Sequence, residues 1–478
     1  MIIPRTQKTF VKGKGDMQTY WVRSTYSKRV KEQGSKHRIE STINEEDTVD
    51  ASLSSSEDND REDALFDVNG VERMNKTQRL VEWNVEVLSS LLQQVVTSRG
   101  GSRKSIKPLR VVESNIGSGQ TILEEFVPII QLKRPDSDVL HRPQRSNSME
   151  VGHDIKSELR SFLSKIADMY TDTNPFHNFE HASHVTASVK KLLKRIVNVN
   201  VGNGLTQRDA NSEVNMIDLA GHSYGITSDP LTQFAVVFAA IIHDLDHPGV
   251  PNAQLVKEGA PNAELYKNKS VAEQNSVDIA WKILMSEEHE SLRSCIYQTK
   301  DELLRFRQLV VNTVMATDIV DKELQALRKN RWEAAFSDKV QEAIGSGDES
   351  EESEDRKATI VIEHLIQASD VSHTMQHWHI YKSWNEKFFY ECYKAYKSGR
   401  ADVDPSINWY KGEIGFFEFY VIPLAKKLDS CGVFGVSSHE YLNYAIANRD
   451  EWKREGEQLV QQFLDNFAKS EGKSEGKE

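Results

Sequence analysis

Cysteine is scarce. Three residues in 478, Cys295, Cys392 and Cys431, are odd in number and scattered, which argues against a disulfide framework and fits a reducing compartment. Long apolar runs are also missing. The longest, Phe234 to Ile242, has nine residues, far too few to span a bilayer. The opening MIIPRTQKTF lacks the apolar core of a secretory signal, so the chain is expected to be cytoplasmic. No basic excess is present either. The net charge is −12, and two short acidic segments account for it: Glu45–Asp63 carries −8 and Asp348–Asp355 carries −6, leaving the remainder close to neutral. Binding to nucleic acid through a basic face is therefore not expected. Strand signals are almost absent after residue 74.

What is present divides the chain into four zones. In residues 1–24, Phe10–Val11 and the Tyr20–Val22 run read as two short strands around a Gly-rich turn. Residues 25–73 are rich in Ser and charge, too poor in apolar surface to offset the entropy of ordering, and read as a disordered linker. Residues 74–467, with a core over 151–467, read as one all-α domain; 468–478 is a low-complexity tail expected to be disordered. Leu80, Trp83, Val87 and Leu91 share one helical stripe. Asn174-Pro175 and Asp229-Pro230 each pair a capping residue with Pro at the first helical position, and Thr299 with Glu302 forms a capping box. The helix after Asp229 is apolar all round and therefore buried. Later helices are expected over 357–398, 415–429 and 438–467, and the acidic segment 345–355 is expected to be a solvated loop.

The fifteen histidines are unevenly spread. His177, His181 and His184 follow the Asn-Pro start at steps of four and three, so the spacing predicts one helical face. His243-Asp244-Leu245-Asp246-His247 closes the buried helix, and its two histidines are again four apart if that helix continues. Asp370 follows another apolar run, ATIVIEHLI. A lone H-x-x-x-H is more often surface or satisfied core than a ligand pair. A His-Asp pair at the end of a buried helix is harder to explain without a cation, because unpaired buried charge is expensive. Imidazole nitrogens with carboxylate oxygens suit zinc, or a zinc–magnesium pair sharing one carboxylate.

NPFHNFEHASHV, HDLDHPGVPN, NKSVAEQN, MATD, ASDVSH and KGEIGFFEFYVIPL occur in this order. From about residue 74 to 467 the chain resembles the catalytic domain of class I 3′,5′-cyclic-nucleotide phosphodiesterases, an all-α fold of the HD superfamily. The resemblance implies hydrolysis of cyclic AMP or cyclic GMP, a small-molecule substrate, to the 5′-monophosphate, ending a cyclic-nucleotide signal. It implies two divalent ions, Zn²⁺ at the first site and Mg²⁺ or Mn²⁺ at the second, with a bridging hydroxide attacking phosphorus. His181, His243, Asp244 and Asp370 match the first metal's ligands, with Asp244 bridging. His177 matches the general acid, Glu273 the carboxylate that orients it, and His247 a group near the second ion and the phosphate. Asp318 falls in a segment near the pocket and equally suits a capping role; His184 belongs either behind the ligands or in the core. Phe416 matches the platform on which the purine stacks, Phe388 the opposing wall, Asp370 a pocket contact and Tyr381 the hydroxyl that fixes the base-reading side chain.

Departures fall in the base pocket. Glu413 stands where most members carry Gln, His373 where cyclic-AMP enzymes commonly have Asn, and Phe176-His177-Asn178 replaces a Tyr-His-Asn run. After the HD signature, Asn252-Ala253-Gln254 stands where an apolar residue is usual. Ionised Glu only accepts hydrogen bonds, whereas Gln also donates, so base selectivity is the open property. Two other readings compete: a related module that binds without hydrolysing, and another HD-superfamily phosphohydrolase. Residues 1–24 resemble the closing segment of a class III nucleotide cyclase domain. That implies a piece of a longer cyclase–phosphodiesterase fusion, membrane-attached if the parent is, and leaves a homodimer open.

Overall fold

The computed structural model describes residues 74–99, 121–133, 151–198, 223–336, 351–434 and 438–475, together with four short strands between residues 2 and 22. The strands form two antiparallel ladders. β1 (Ile2–Pro4) pairs with β4 (Tyr20–Val22), and β2 (Thr9–Val11) pairs with β3 (Gly15–Met17), Val11 facing Gly15. Each expected strand thus finds a separate partner. The strands and the helical body are separate units. The linker over 25–73 lies outside the described residues.

The body is all-α. Its helices are α1 (Lys76–Ser98), α2 (His153–Met169), α3 (Phe179–Asn198), α4 (Pro230–Ile242), α5 (Asn252–Glu258), α6 (Pro261–Leu265), α7 (Val271–Leu284) and α8 (Glu290–Ile296). They continue as α9 (Lys300–Met315), α10 (Lys322–Phe336), α11 (Glu351–Asp370), α12 (Trp378–Lys397), α13 (Trp409–Phe416), α14 (Ile422–Ser430) and α15 (Ser438–Glu475). Among the described residues, no helix is long and apolar enough to cross a membrane.

α4 is the hub, packed between α1, α3 and α9. Eleven of its thirteen residues are buried, as its all-round apolar sequence requires. Asp229 starts it: the carboxylate accepts from Leu231 N (3.2 Å) and Thr232 Oγ1 (2.7 Å) and is clasped by Arg305. α1 opens with a full capping box between Asn75 and Gln78, and its buried face turns on Val81, Asn84, Leu88 and Leu92. Leu80 and Val87 are buried as expected; Trp83 and Leu91 are only half-buried, at the stripe's edge. At α9, Thr299 caps Glu302 N (3.2 Å), but the Glu302 carboxylate takes Gln298 N (2.8 Å) and Arg99 instead of closing the box.

Four expectations on the helices need correction. The acidic segment is not simply a loop: its residues 351–355 form the first turn of α11, where carboxylates meet the positive end of the helix dipole. The span 357–398 is two helices, because a 3₁₀ turn at Ser372–Met375 breaks it. Asn448 of α15 donates to the freed carbonyls of Thr374 (2.9 Å) and Gln376 (2.8 Å), which makes the break affordable. The span 415–429 holds a π-helical turn, Phe417–Val421, just before Pro423. Pro423 has no N–H and would clash with the carbonyl four residues back; the ladder widens there, with Ile422 N bonding Phe417 O. Finally, α15 runs on to Glu475, past the expected boundary at 467, through Lys and Glu that favour helix.

Candidate active site

The end of α4, the start of α3 and the end of α11 meet at one point. His243, just after α4, has Nδ1–H donating to Ala240 O (2.9 Å), which leaves its Nε2 lone pair facing inward. That Nε2 lies 2.9 Å from Asp244 Oδ2 and 3.4 Å from Asp370 Oδ1. His181 Nε2 lies 3.1 Å from Asp370 Oδ1 and 3.5 Å from Asp244 Oδ2. One ligand atom from each of the four falls within 4.8 Å of the others. Both histidines are buried, while the two aspartates keep partial access to solvent.

The chemistry of this set fits a divalent cation. His243 Nε2 is buried and faces the two carboxylates at 2.9 and 3.4 Å without the angle of an ordinary hydrogen bond. Burial alone would raise both carboxyls, yet the facing histidines outweigh it and hold Asp244 and Asp370 below the usual carboxylate range. Burial would likewise lower His243, but the same aspartates push it well above an ordinary imidazole. Two nitrogens and two carboxylates drawn together this way need positive charge between them, from protons or from a metal.

His177 is not on the helical face predicted for it. α3 begins only at Phe179, where Asn178 caps it by accepting from His181 N (3.1 Å). His177 sits in the preceding turn with its Nδ1–H on Glu391 Oε1; Glu391 Oε2 accepts from Phe176 N (3.0 Å) and His177 N (2.9 Å). Glu391, from α12, is therefore the carboxylate that orients His177. Burial would lower the imidazole, and the nearby Glu391 charge, aided by Asp244 and Asp370, raises it to about 9. Burial would raise Glu391, and the His177 charge brings it down to about 2.

Glu273 does not reach His177. It lies at the start of α7, where Asn252 Nδ2 donates to it (2.9 Å), and burial plus the Asp318 and Asp244 charges push it up to about 8. Asp318 is not a helix cap: it braces the turn before α10, accepting from Val320 N and Asp321 N (each 3.0 Å) and from Ser270 Oγ (2.7 Å), while Asp321 caps α10 by accepting from Leu324 N (2.8 Å). Nor is His247 on a continued α4, because Asp246 adopts a left-handed φ of +60° and ends the helical path. The His247 ring instead stacks on His177, centroids 3.9 Å apart. Burial, and then the His177 charge, pushes His247 down to about 3.

Around this centre stands an aromatic wall. Phe388 packs on Phe176 (5.0 Å) and Trp409 (5.4 Å), with His177 at 6.1 Å. Phe416 is half-buried and stacks on Tyr420 (5.3 Å). Tyr381 donates to Glu413 (2.7 Å), and burial raises Glu413 to about 7. Trp409 Nε1 holds Asn385 Oδ1 (3.1 Å), so the Asn385 amide donates toward Glu413 as well. His184 lies in the core, its ring 5.2 Å from Trp384. His373 packs beside Phe176 (5.5 Å), and burial pushes it well below an ordinary imidazole.

Residues 176–433 match the 3′5′-cyclic nucleotide phosphodiesterase family. The chain is 28% identical over 273 residues to the 3′,5′-cyclic-AMP phosphodiesterase, isoform F, of Drosophila melanogaster, covering 55% of this chain and 36% of that protein. It is 27% identical over 279 residues to the dual specificity calcium/calmodulin-dependent 3′,5′-cyclic nucleotide phosphodiesterase 1C of Mus musculus, covering 56% and 33%. The chain thus matches only about a third of the length of these two relatives. A crystal structure of the phosphodiesterase domain of Salpingoeca rosetta rhodopsin phosphodiesterase aligns with a TM-score of 0.47 at 22% identity, over 66% of this chain and 86% of that one.

Proposed function

The chain belongs to the 3′,5′-cyclic nucleotide phosphodiesterase family, and from that premise we propose that it hydrolyses 3′,5′-cyclic nucleotides to 5′-nucleoside monophosphates. The observation that carries this reading is the His177–Glu391 contact beside four side chains whose ligand atoms converge within 4.8 Å of one another. Hydrolysis adds water across the P–O3′ bond; oxygen from water bonds to phosphorus and O3′ leaves with a proton. His181, His243, Asp244 and Asp370 would hold zinc, with Asp244 shared to a magnesium or manganese ion. Such a pair supplies Lewis acidity at the phosphoryl oxygens and makes water a better nucleophile.

The remaining work falls to side chains. Glu391 fixes His177 Nδ1–H, so Nε2 is the atom that hands a proton to O3′. Asp370 belongs to the pocket wall as well as to the ligand set. Phe416 and Phe388 flank the purine, and Tyr381 with Asn385 orients Glu413 toward its edge. A cytoplasmic site of action fits the scarce and scattered cysteines, Cys295, Cys392 and Cys431. The proposal that residues 1–24 are the end of a cyclase domain in a longer parent protein rests on the resemblance of FVKGKGDMQTYWV.

The test is turnover of cyclic AMP and cyclic GMP, each alone, with Mg²⁺ and with or without a chelator. Chelator-sensitive release of 5′-monophosphate is expected. Nucleotide binding without release, in metal-replete protein, would overturn the hydrolytic reading in favour of a binding module.

Glu413 sets the expected base preference. Ionised, its two oxygens pair with guanine N1–H and N2–H₂, a bidentate match. Glu413→Gln should therefore lower the cyclic GMP to cyclic AMP ratio of kcat/KM by ~10-fold, the scale of one bidentate contact. Because burial places this carboxyl at about 7, the wild-type ratio should rise between pH 6 and pH 8 as the group ionises. A ratio unchanged by the substitution would sink the assignment.

A further inference from the structure

Asn174 was expected to cap a helix, but α3 starts five residues later, and Asn178 is its cap. The Asn174 side chain is used differently. A carboxamide carries two N–H hydrogens. Here Asn174 Nδ2 donates to His247 O (2.7 Å) and to His177 O (3.2 Å), two carbonyls seventy positions apart in the chain. Its own backbone is held in turn, with Asn174 N on Thr171 O (3.0 Å) and Asn178 Nδ2 on Asn174 O (2.9 Å).

The two rings touch, but no hydrogen bond joins one to the other. His177 is tied through Nδ1 to Glu391, and His247 Nδ1 accepts from Gly249 N (3.2 Å), which places the His247 proton on Nε2. Their close, tilted approach, centroids 3.9 Å apart and 32° between planes, depends on how the two loops are spaced. The Asn174 amide is a direct link between those loops. Close approach is also written into Gly249: its φ is +69°, and a Cβ there would come 3.0 Å from Asn174 Oδ1 and 3.5 Å from Glu391 Cγ.

We infer that Asn174 is a positioning residue: by bridging the His177 and His247 carbonyls it sets the distance between the two histidines and aims the His177 proton at the leaving oxygen. This rests on His177 acting as the proton donor. Misplacing a reacting group by about an ångström costs on the order of 100-fold. Asn174→Ala should therefore lower kcat by roughly 10- to 100-fold, with KM within about threefold of wild type and zinc per chain unchanged. Asn174→Asp keeps the shape but turns an oxygen toward two carbonyls, so it should lose at least as much. Asn174→Ser, with one donor left, should fall between, and thermal midpoints of all three identify any variant that fails to fold.

A double-mutant cycle supplies the decisive readout. In a His177→Ala background, Asn174→Ala should cost less than about twofold, because its effect passes through the missing imidazole. Losses that multiply, or Asn174→Asp turning over at the wild-type rate, would overturn the inference. His177→Ala alone with wild-type turnover would instead remove the proton-donor reading beneath it.

Discussion

Asp244→Asn is expected to lower turnover of either cyclic nucleotide by roughly 10³-fold or more, about 4 kcal/mol in the barrier, and to remove bound metal from the protein. Asp244 Oδ2 lies within 3.5 Å of both His243 Nε2 and His181 Nε2, and it is the carboxylate proposed to be shared between two ions. Asparagine keeps the shape and one oxygen but not the charge. Two neutral imidazoles and Asp370 would then hold a divalent ion with a single negative charge among them. Even changes to groups behind metal ligands cost 10- to 100-fold in affinity, and a ligand that serves two ions should cost more. Folding should survive, because Asp244 sits in the turn after α4 with partial access to solvent and outside the apolar core. Metal content by atomic spectroscopy, alongside kcat, separates the outcomes. A variant with full metal content and more than a tenth of wild-type turnover would mean that Asp244 is not the shared ligand.

Each part of this cluster carried its own local signal, although the parts lie up to 189 positions apart and the family resemblance was needed to single out His181 from His177 and His184. An apolar helix announced by Asp229-Pro230 must be buried, and a His-Asp pair at its end is then buried with it. Asp370 was legible for the same reason, at the end of a second apolar run. Reading failed where partners are far apart or where helices begin and stop. Glu391 is 214 positions from the histidine it charges, and no local period links them. A signal was present nonetheless: Glu391 is a lone acid inside Phe388-Phe389-Tyr390-Glu391-Cys392-Tyr393, a stretch otherwise free of charge. An acid there must find a buried partner. Asn-Pro at 174–175 satisfied the rule for a helix start, yet the amide bonded across to the His247 loop, a contact 73 positions away. The His243–His247 spacing of four misled for the opposite reason. One left-handed residue, Asp246, is enough to break a helical period, and Asp tolerates that conformation better than most side chains.

Removing the His177 imidazole tests the proton side of the mechanism. His177→Ala should reduce kcat by roughly 10²- to 10⁴-fold, the usual value of a positioned general acid, while zinc per chain stays at the wild-type level. Zinc loss in that variant would make His177 a ligand and displace the proposed division of labour. Glu391 offers the finer test, because its carboxylate holds the His177 ring N–H, and Gln keeps an oxygen for the Phe176 and His177 backbone N–H groups. Burial pushes the His177 imidazole down from its ordinary 6.5, and the carboxylates outweigh it to reach about 9. A general acid must be protonated to work, so kcat should hold through neutral pH and decline on the alkaline side, where the imidazole raised by Glu391 loses its proton. Glu391→Gln removes the largest of the raising charges but leaves burial in force. Asp244 and Asp370 are the other contributors, and a cation bound between them cancels much of their pull on His177. The metal-loaded Glu391→Gln enzyme should therefore lose turnover at a distinctly lower pH than wild type, and regain most of it on acidification. If the alkaline limb stays where it is in the wild-type enzyme, the proton that limits turnover is not the one on His177.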